Sequence, residues 1–138
     1  RRGFGASTKT ASGADYDTYA ADLHIHSSYA YATSPDLSIA NLAAWARTKG
    51  IDLLATGDFT HPSWIKEIRQ TIQDTGDGLF ALDGVRFVLG TEMSCVAPQG
   101  GRSRRVHMLV YAPSLNTVDR INRRRAAGWE APEGPRFA

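Results

Sequence analysis

The chain has 138 residues, of which 42% are hydrophobic and 22% charged, and its formal net charge is +2. This length and composition are typical of one packed domain or part of one, and they exclude a disordered polyelectrolyte. No run of about 18 apolar residues occurs, and residues 1–13 are polar and small rather than a basic stretch followed by an apolar one, so we expect neither membrane insertion nor secretion. Cys95 is the only cysteine. That excludes an intramolecular disulfide and a cysteine-cluster zinc site, and it fits a cytoplasmic protein.

Composition and periodicity predict three segments. Residues 1–18 contain Gly, Ser, Thr and Ala without a helical or alternating pattern, which indicates a flexible leader. Residues 19–127 carry the regular patterns and form the predicted domain, and residues 128–138 are an irregular tail rich in glycine and proline. Because the chain starts at Arg1 without a methionine and the tail closes no predicted element, we expect a truncated chain.

The first element of the domain is a buried strand, predicted over residues 19–26 from a short apolar and alternating run. His24 and His26 are alternate residues at its end, so their imidazoles share one face and can converge on one metal ion. Two polar residues on the exposed face of a strand would give the same pattern. The sequence leaves that alternative open.

The next elements form a strand, helix, strand unit. Ser38 suits a helix N-cap, apolar residues follow at helical spacing, and Gly50 suits the C-terminal cap. Residues 51–56 predict the next strand, which ends in the polar loop of residues 57–61. A strand, helix, strand unit with a polar loop after the strand is typical of a parallel sheet, so α/β is the predicted fold class. Loops at the carboxyl ends of parallel strands often hold the ligands and catalytic groups of such proteins.

Asp58 and His61 are the candidate functional residues of this loop. A helix is predicted over residues 62–74, because Pro62 suits a first helical turn and isoleucines recur at helical spacing. Asp58 could simply cap this helix, and His61 could be a cap or a surface residue. Both alternatives remain beside the functional one.

A third strand, predicted over residues 85–89, leads to Glu92. An ionised carboxylate at the end of an apolar strand is costly unless it is paired or binds a metal. Extended runs on both sides of residues 98–101 predict a β-hairpin, and its second arm carries His107. A histidine within an apolar strand is also typical of a protein core. Ser114 is predicted to cap the last helix.

The C-terminal end of the chain is basic. Residues 101–138 contain eight arginines and three acidic residues. A basic face attracts phosphate-bearing partners, although a run of arginines on a helix is more often a solvated surface. Beside the predicted hairpin, Arg102, Arg104 and Arg105 are the candidates for contact with substrate phosphates.

Histidines and carboxylates thus recur at successive strand ends and in the hairpin. The candidate metal ligands are His24, His26, Asp58, His61, Glu92 and His107. Imidazole and carboxylate ligands without thiolate suit zinc, manganese or iron better than magnesium or calcium. Clustered ions of this kind favour phosphoester hydrolysis.

Four stretches of the chain carry a resemblance to a known family. They are DLHIHSSYAYATS at 22–34, GIDLLATGDFTHP at 50–62, VLGTEMS at 88–94 and RRVHMLVYAPS at 104–114. They resemble consecutive motifs of the PHP (polymerase and histidinol phosphatase) superfamily, in particular its endonuclease Q-like branch, often described as repair-helicase-associated PHP proteins. The resemblance covers residues 21–121.

The resemblance implies a fold and a ligand set. The fold is a distorted (β/α)7 barrel with two or three metals at the carboxyl ends of its strands, and this chain would hold the N-terminal part of that barrel. His24 and His26 would hold the first metal, Glu92 would bridge the first and second, and His107 would hold the second. The ions would be zinc in the first place, or manganese or iron.

The second motif departs from the family pattern. Asp58 stands at its acidic position and, with Glu92, is the candidate catalytic residue. In most members a histidine follows the aspartate directly, whereas here Phe59 follows and His61 comes later.

The resemblance also implies a function: metal-dependent hydrolysis of phosphoester bonds in DNA beside damaged bases, with a repair helicase as a functional associate. Two other functions remain open. One is a small-molecule phosphatase of the histidinol phosphatase type. The other is a non-catalytic module that binds nucleic acid or is inactive.

Overall fold

The computed structural model describes the backbone of residues 8–9 and 15–16 and all of residues 18–128. Strands β1 (Thr8–Lys9) and β2 (Asp15–Tyr16) pair antiparallel, which the sequence of this predicted leader did not indicate. The rest of the leader prediction, and the predicted tail from residue 129 onward, lie outside the described residues.

The other described strands form one mixed sheet. They are β3 (Ala21–Asp22), β4 (Leu53–Ala55), β5 (Gln73–Asp74), β6 (Phe80–Leu82), β7 (Val85–Gln99) and β8 (Arg102–Ala112). Their order across the sheet is β3, β4, β7, β6, β5, and β8 pairs with the second part of β7. Since β3, β4 and the first part of β7 are parallel, their carboxyl ends meet at one edge of the sheet. The predicted α/β class is confirmed.

Three helices complete the described fold: α1 (Ile39–Lys49), α2 (Pro62–Thr71) and α3 (Leu115–Ala126). Both predicted serine caps are confirmed, because the Ser38 side chain accepts from the N–H of Asn41 and the Ser114 side chain accepts from the N–H of Thr117. Gly50 ends α1 in the left-handed conformation at φ 73°, as predicted. No helix within residues 18–128 is long and apolar enough to span a bilayer.

The hydrophobic core joins the helices to the sheet. Its largest fully buried side chains are Trp64, Phe59, Phe80, Phe87, Ile39, Ile68, Leu89, Val85 and Val118. They come from all three helices, from β6 and β7, and from the loop after β4. Burial of apolar surface supplies the main favourable term of folding, so the core fixes the edge at which the parallel strands end.

Strand β3 is shorter and more exposed than predicted. It spans two residues, both exposed, so the prediction of a buried strand over residues 19–26 is wrong. Among the described strands β3 lies at the end of the sheet and pairs on one side only, with β4. A strand with an unpaired edge remains accessible to water. His24 and His26 therefore lie in an irregular segment after the strand.

Helix α2 is also shorter than predicted. It ends at Thr71 rather than at residue 74, because Ile72 takes an extended conformation and enters the core at 8% exposure. Strand β5 follows at once and pairs with β6. A tight turn at residues 83–84, with positive φ at both, then joins β6 to β7. The sequence did not predict this hairpin.

Strand β7 is one continuous element of 15 residues, where the sequence predicted a strand and a separate hairpin arm. Its first part pairs with β4 and β6, and residues 89–99 pair with β8. The predicted hairpin is confirmed. Its turn consists of Gly100 and Gly101, both with positive φ.

Candidate metal centre

The fold brings the predicted ligands to the carboxyl edge of the parallel strands. His24 and His26 follow β3, Asp58 follows β4, and Glu92 lies on β7 just beyond the part that pairs with β4. His107 lies on β8, opposite the residue two positions beyond Glu92. Opposite residues of a ladder share a face, as do alternate residues of a strand. Glu92 and His107 are therefore on the same face of the hairpin.

Glu92 is the centre of this group. Its Oε2 lies 3.2 Å from Nε2 of His24 and 3.3 Å from Nε2 of His26, and its Oε1 lies 2.5 Å from Nδ1 of His107. The two oxygens of one carboxylate thus face imidazoles from two separate parts of the chain. A carboxylate in this position could bridge two ions, one beside each oxygen.

The donor atoms fit a divalent metal. Those of His24, His26 and Glu92 all lie within 4.8 Å of one another. Bonds from zinc to nitrogen or oxygen are about 2.0–2.2 Å long, so an ion among the three atoms could reach each of them. Two imidazoles and a carboxylate form a donor set suited to zinc, manganese or iron.

The imidazoles of this group are more open to water than the carboxylate. The side chains of His24 and His107 are 52% and 57% exposed, against 19% for Glu92. The interpretation of His107 as a core histidine is therefore wrong. The same exposure leaves the site accessible to a metal ion and to a substrate.

The histidines also affect the charge of Glu92. The hydrogen bond with His24 is the main reason that the pKa of the Glu92 carboxyl lies below its ordinary value of 4.5. Partial desolvation opposes this effect, and the hydrogen bond with His107 adds to it. The carboxylate is therefore ionised at neutral pH, which is the form that binds metals.

Asp58 lies beside Nδ1 of the His26 ring, whereas Glu92 lies beside Nε2 of the same ring. Its Oδ1 lies 3.1 Å from Nδ1 of His26, and its Oδ2 accepts hydrogen bonds from the N–H and the hydroxyl of Ser27 at 2.6 and 2.8 Å. A carboxylate on Nδ1 fixes the ring so that Nε2 faces the metal position. Both oxygens of Asp58 are thus engaged in holding the histidine segment.

The backbone before Asp58 passes close to the histidine segment. Gly57 and Asp58 have left-handed backbones, at φ 64° and 44°. A methyl group on Gly57 would overlap the carbonyl oxygen of Ile25 and lie 3.3 Å from Cα of His26. The buried Trp64 donates from its indole to the carbonyl of Gly57 at 2.9 Å. A glycine is therefore required here, and the core fixes its position.

Ser27 and Tyr111 are two residues of the site that the sequence did not indicate. Ser27 is fully buried and binds Asp58. The Tyr111 hydroxyl donates to the carbonyl of Leu23 at 2.7 Å, directly before His24. One signal was available for Tyr111, because it lies four residues after His107 and strand alternation places both on one face.

His61 does not join the group around Glu92. Its ring stacks on Tyr29 with centroids 4.5 Å apart, and its Nδ1 is buried without a hydrogen-bond partner among the described residues. Its role as a ligand stays a prediction. Cys95, on β7, is half-buried.

The three predicted phosphate-binding arginines, Arg102, Arg104 and Arg105, are exposed on β8. Because side chains alternate along a strand, Arg105 shares the face of His107, and the other two lie on the opposite face. Arg105 is thus the arginine of the three on the metal-binding side of the hairpin.

Comparison with known proteins finds relatives that are longer than this chain. No family model matches it. It is 32% identical over 100 residues to an uncharacterized protein of Methanocaldococcus jannaschii. The aligned region covers 72% of this chain and 10% of that protein.

Two solved structures are similar to this chain in both sequence and fold. The lesion-specific endonuclease PfuEndoQ from Pyrococcus furiosus matches with a TM-score of 0.66 and 30% identity, over 79% of this chain and 26% of that one. The second is endonuclease Q in complex with a 27-mer duplex that carries an abasic lesion at the active site. It matches with a TM-score of 0.65 and 34% identity, over 77% of this chain and 25% of that one.

The chain therefore spans about a tenth of the curated relative and about a quarter of the two solved chains. Within that span it matches the two solved chains in fold, with TM-scores of 0.66 and 0.65. The predicted resemblance is confirmed: over 77–79% of its length, this chain is similar in sequence and fold to endonuclease Q.

Proposed function

We propose that this chain carries part of a metal-dependent phosphoesterase that hydrolyses DNA beside damaged bases. One observation carries the proposal: the two oxygens of Glu92 face imidazoles from two separate parts of the chain. A pair of metal ions held a few ångströms apart is a recurring arrangement in enzymes that hydrolyse phosphoesters.

In this proposal His24, His26 and Glu92 would hold a first ion, and Glu92 and His107 would hold a second. The ions would be zinc, with manganese and iron as alternatives, because the donors are imidazole nitrogens and carboxylate oxygens. When bound, such ions lower the pKa of water, orient it and neutralise charge on the phosphoryl oxygens.

The chain's own residues orient the ligands and bind the substrate. Asp58 fixes the ring of His26, so its predicted catalytic role is here the orientation of that ligand. Arg105 neutralises a substrate phosphate beside the His107 face of the hairpin, while Arg102 and Arg104 contact the DNA backbone from the opposite face.

Similarity to endonucleases supports DNA as the substrate. One of the two matched structures is of a lesion-specific endonuclease, and the other holds a duplex with an abasic lesion at the active site. The proposed activity belongs to a protein that contains this segment, since the chain spans about a quarter of those proteins. We also propose that the segment is the N-terminal part of a (β/α)7 barrel.

Cleavage of defined duplexes by the zinc- or manganese-loaded protein tests this proposal. Duplexes with an abasic site or a deaminated base are compared with an undamaged duplex, and p-nitrophenyl phosphate serves as a small substrate. We expect cleavage of the damaged duplexes and its loss in the His24→Ala/His26→Ala double variant. Cys95→Ser is the control that retains it.

Two results would contradict the proposal. Hydrolysis of p-nitrophenyl phosphate with all duplexes intact would support the small-molecule phosphatase instead. Binding of DNA by a protein that takes up no metal and cleaves nothing would support the non-catalytic module.

A further inference from the structure

The segment that carries His24 has little backbone support. The ladder between β3 and β4 ends at Asp22, opposite Leu54. Beyond that point, the N–H of His24 contacts the Asp22 carboxylate at 3.3 Å, and the carbonyl of Leu23 accepts the hydroxyl of Tyr111 at 2.7 Å. The Tyr111 bond is the shorter of the two, and it joins residues 88 positions apart in the chain.

Tyr111 reaches this carbonyl across the sheet. It lies on β8, opposite Gly90 of β7, whereas Leu23 follows β3 on the far side of β4. A Cβ on Gly90 would lie 3.3 Å from Cδ1 and Cε1 of Tyr111 and 3.3 Å from Cβ of Ala55. The ring therefore crosses the sheet directly over a glycine and beside an alanine, where a larger residue would displace it.

Tyr111 belongs to the same strand face as the proposed second metal site. Its strand also carries His107 four residues earlier, and its partner Gly90 lies two residues before Glu92. The bond to Leu23 thus connects the strand of His107 to the residue that precedes His24.

We propose that Tyr111 is a positioning residue for the metal centre: its hydroxyl holds the backbone at Leu23 so that His24 stays within reach of Glu92. Gly90 is the residue that makes this possible, because it leaves room for the ring. The inference rests on the proposed function only in requiring that His24, His26 and Glu92 bind a metal.

Zinc titration of the whole chain with a chromophoric chelator as competitor tests the inference without any assay of activity. Tyr111→Phe retains the ring and removes the hydroxyl. We expect zinc binding at the His24 site to weaken about 10- to 100-fold, the range for loss of an orienting contact near a ligand. Zinc binding at the proposed second site, which contains His107, should change little. Tyr19→Phe is the control, because Tyr19 is an exposed tyrosine at the opposite end of β3.

Gly90→Ala tests the same contact from the other side. Its methyl group should displace the ring and weaken zinc binding, and the Tyr111→Phe/Gly90→Ala pair should weaken it less than the sum of the single effects. Thermal unfolding of the metal-free variants separates positioning from folding: Tyr111→Phe should unfold close to the wild type.

Three outcomes would overturn the inference. Equal zinc affinity for wild type and Tyr111→Phe would overturn it and leave the proposed function intact. A loss of affinity matched by an equal loss of stability in the metal-free form would reduce Tyr111 to a structural role. A wild-type chain that binds no zinc would overturn the inference and the proposed metal centre together.

Discussion

Two regions of the molecule supply the metal-binding side chains, and they are built differently. The histidine segment, residues 23–28, follows a two-residue ladder and is held by side-chain contacts from Asp58 and Tyr111. The hairpin of β7 and β8 is one continuous antiparallel ladder. It runs from the pair Leu89 and Ala112 to the pair Gln99 and Arg102. Backbone register therefore places Glu92 and His107, whereas distant side chains place His24 and His26.

This difference predicts where the site is vulnerable. A ladder tolerates the loss of a side chain because its backbone hydrogen bonds remain. An irregular segment held by a few side chains moves when one of them is removed. Substitutions outside the ligands should thus affect the histidine segment more than the hairpin.

Glu92→Gln should have the largest effect, because Glu92 is the residue that both regions share. The amide is close in shape but carries no charge, and we expect metal affinity to fall by more than about 100-fold. Asp83→Asn is the control, an exposed carboxylate in the turn before β7. Calorimetric zinc titration measures both. Unchanged zinc affinity in Glu92→Gln would show that the two regions do not share a metal ligand.

Gly57→Ala should displace the histidine segment and destabilise the protein more than a comparable substitution in the hairpin. Its methyl group would overlap the Ile25 carbonyl at a positive φ, and we expect a loss of about 3 kcal/mol or more in the free energy of unfolding. Gly101→Ala is the matched control in the hairpin. It has a similar φ of 75°, and no atom of the described residues lies within 4 Å of the added group, so strain alone should cost about 1 kcal/mol. Urea unfolding gives both values. Equal losses would mean that the close approach to Ile25 is unimportant.

Asp58→Asn should weaken zinc binding about 10- to 100-fold with little change in stability, because it removes the carboxylate that orients His26. Asp83→Asn is again a suitable control, since both aspartates have positive φ and asparagine tolerates that conformation. The measurement is the zinc dissociation constant. If both variants bind zinc as the wild type does, the contact with Asp58 has no part in holding the site.

The smallest effect should be seen on lowering the pH. Because the folded protein lowers the pKa of Glu92 below 4.5, its ion pairing stabilises the fold above that pH and is lost as the pH falls through the lowered value. The metal-free protein should therefore lose resistance to urea as the pH falls below 4.5, and Glu92→Gln should remove that part of the loss. Urea unfolding of both proteins at neutral and at acidic pH measures the difference. An equal loss in both proteins would mean that ionised Glu92 does not stabilise the fold.

Local signals in the sequence predicted much of the fold. Serine caps at Ser38 and Ser114 and the glycine at Gly50 set helix ends because those contacts lie within one turn of the helix. The di-glycine turn set the hairpin for the same reason. The predicted ends of β3 and α2 were wrong. Residues that are distant in the chain determine the exposure of β3 and the burial of Ile72, and local patterns do not record them.

The candidate site shows the same division. Alternation along a strand indicated that the His24 and His26 imidazoles could converge, and the apolar approach to Glu92 indicated a carboxylate at a strand end. The contacts of Ser27 with Asp58 and of Tyr111 with Leu23 join residues 31 and 88 positions apart. No periodic pattern in the sequence encodes such pairs, so they could not be predicted.

The number of zinc ions bound per chain, in the wild type and in His107→Ala, tests the shared role of Glu92 most directly. The proposed arrangement predicts two ions in the wild type and one in His107→Ala, with the remaining ion lost in the His24→Ala/His26→Ala/His107→Ala triple variant. A wild type that binds one ion, retained in His107→Ala, would contradict a second site on the hairpin. A wild type that binds none would contradict the metal centre itself.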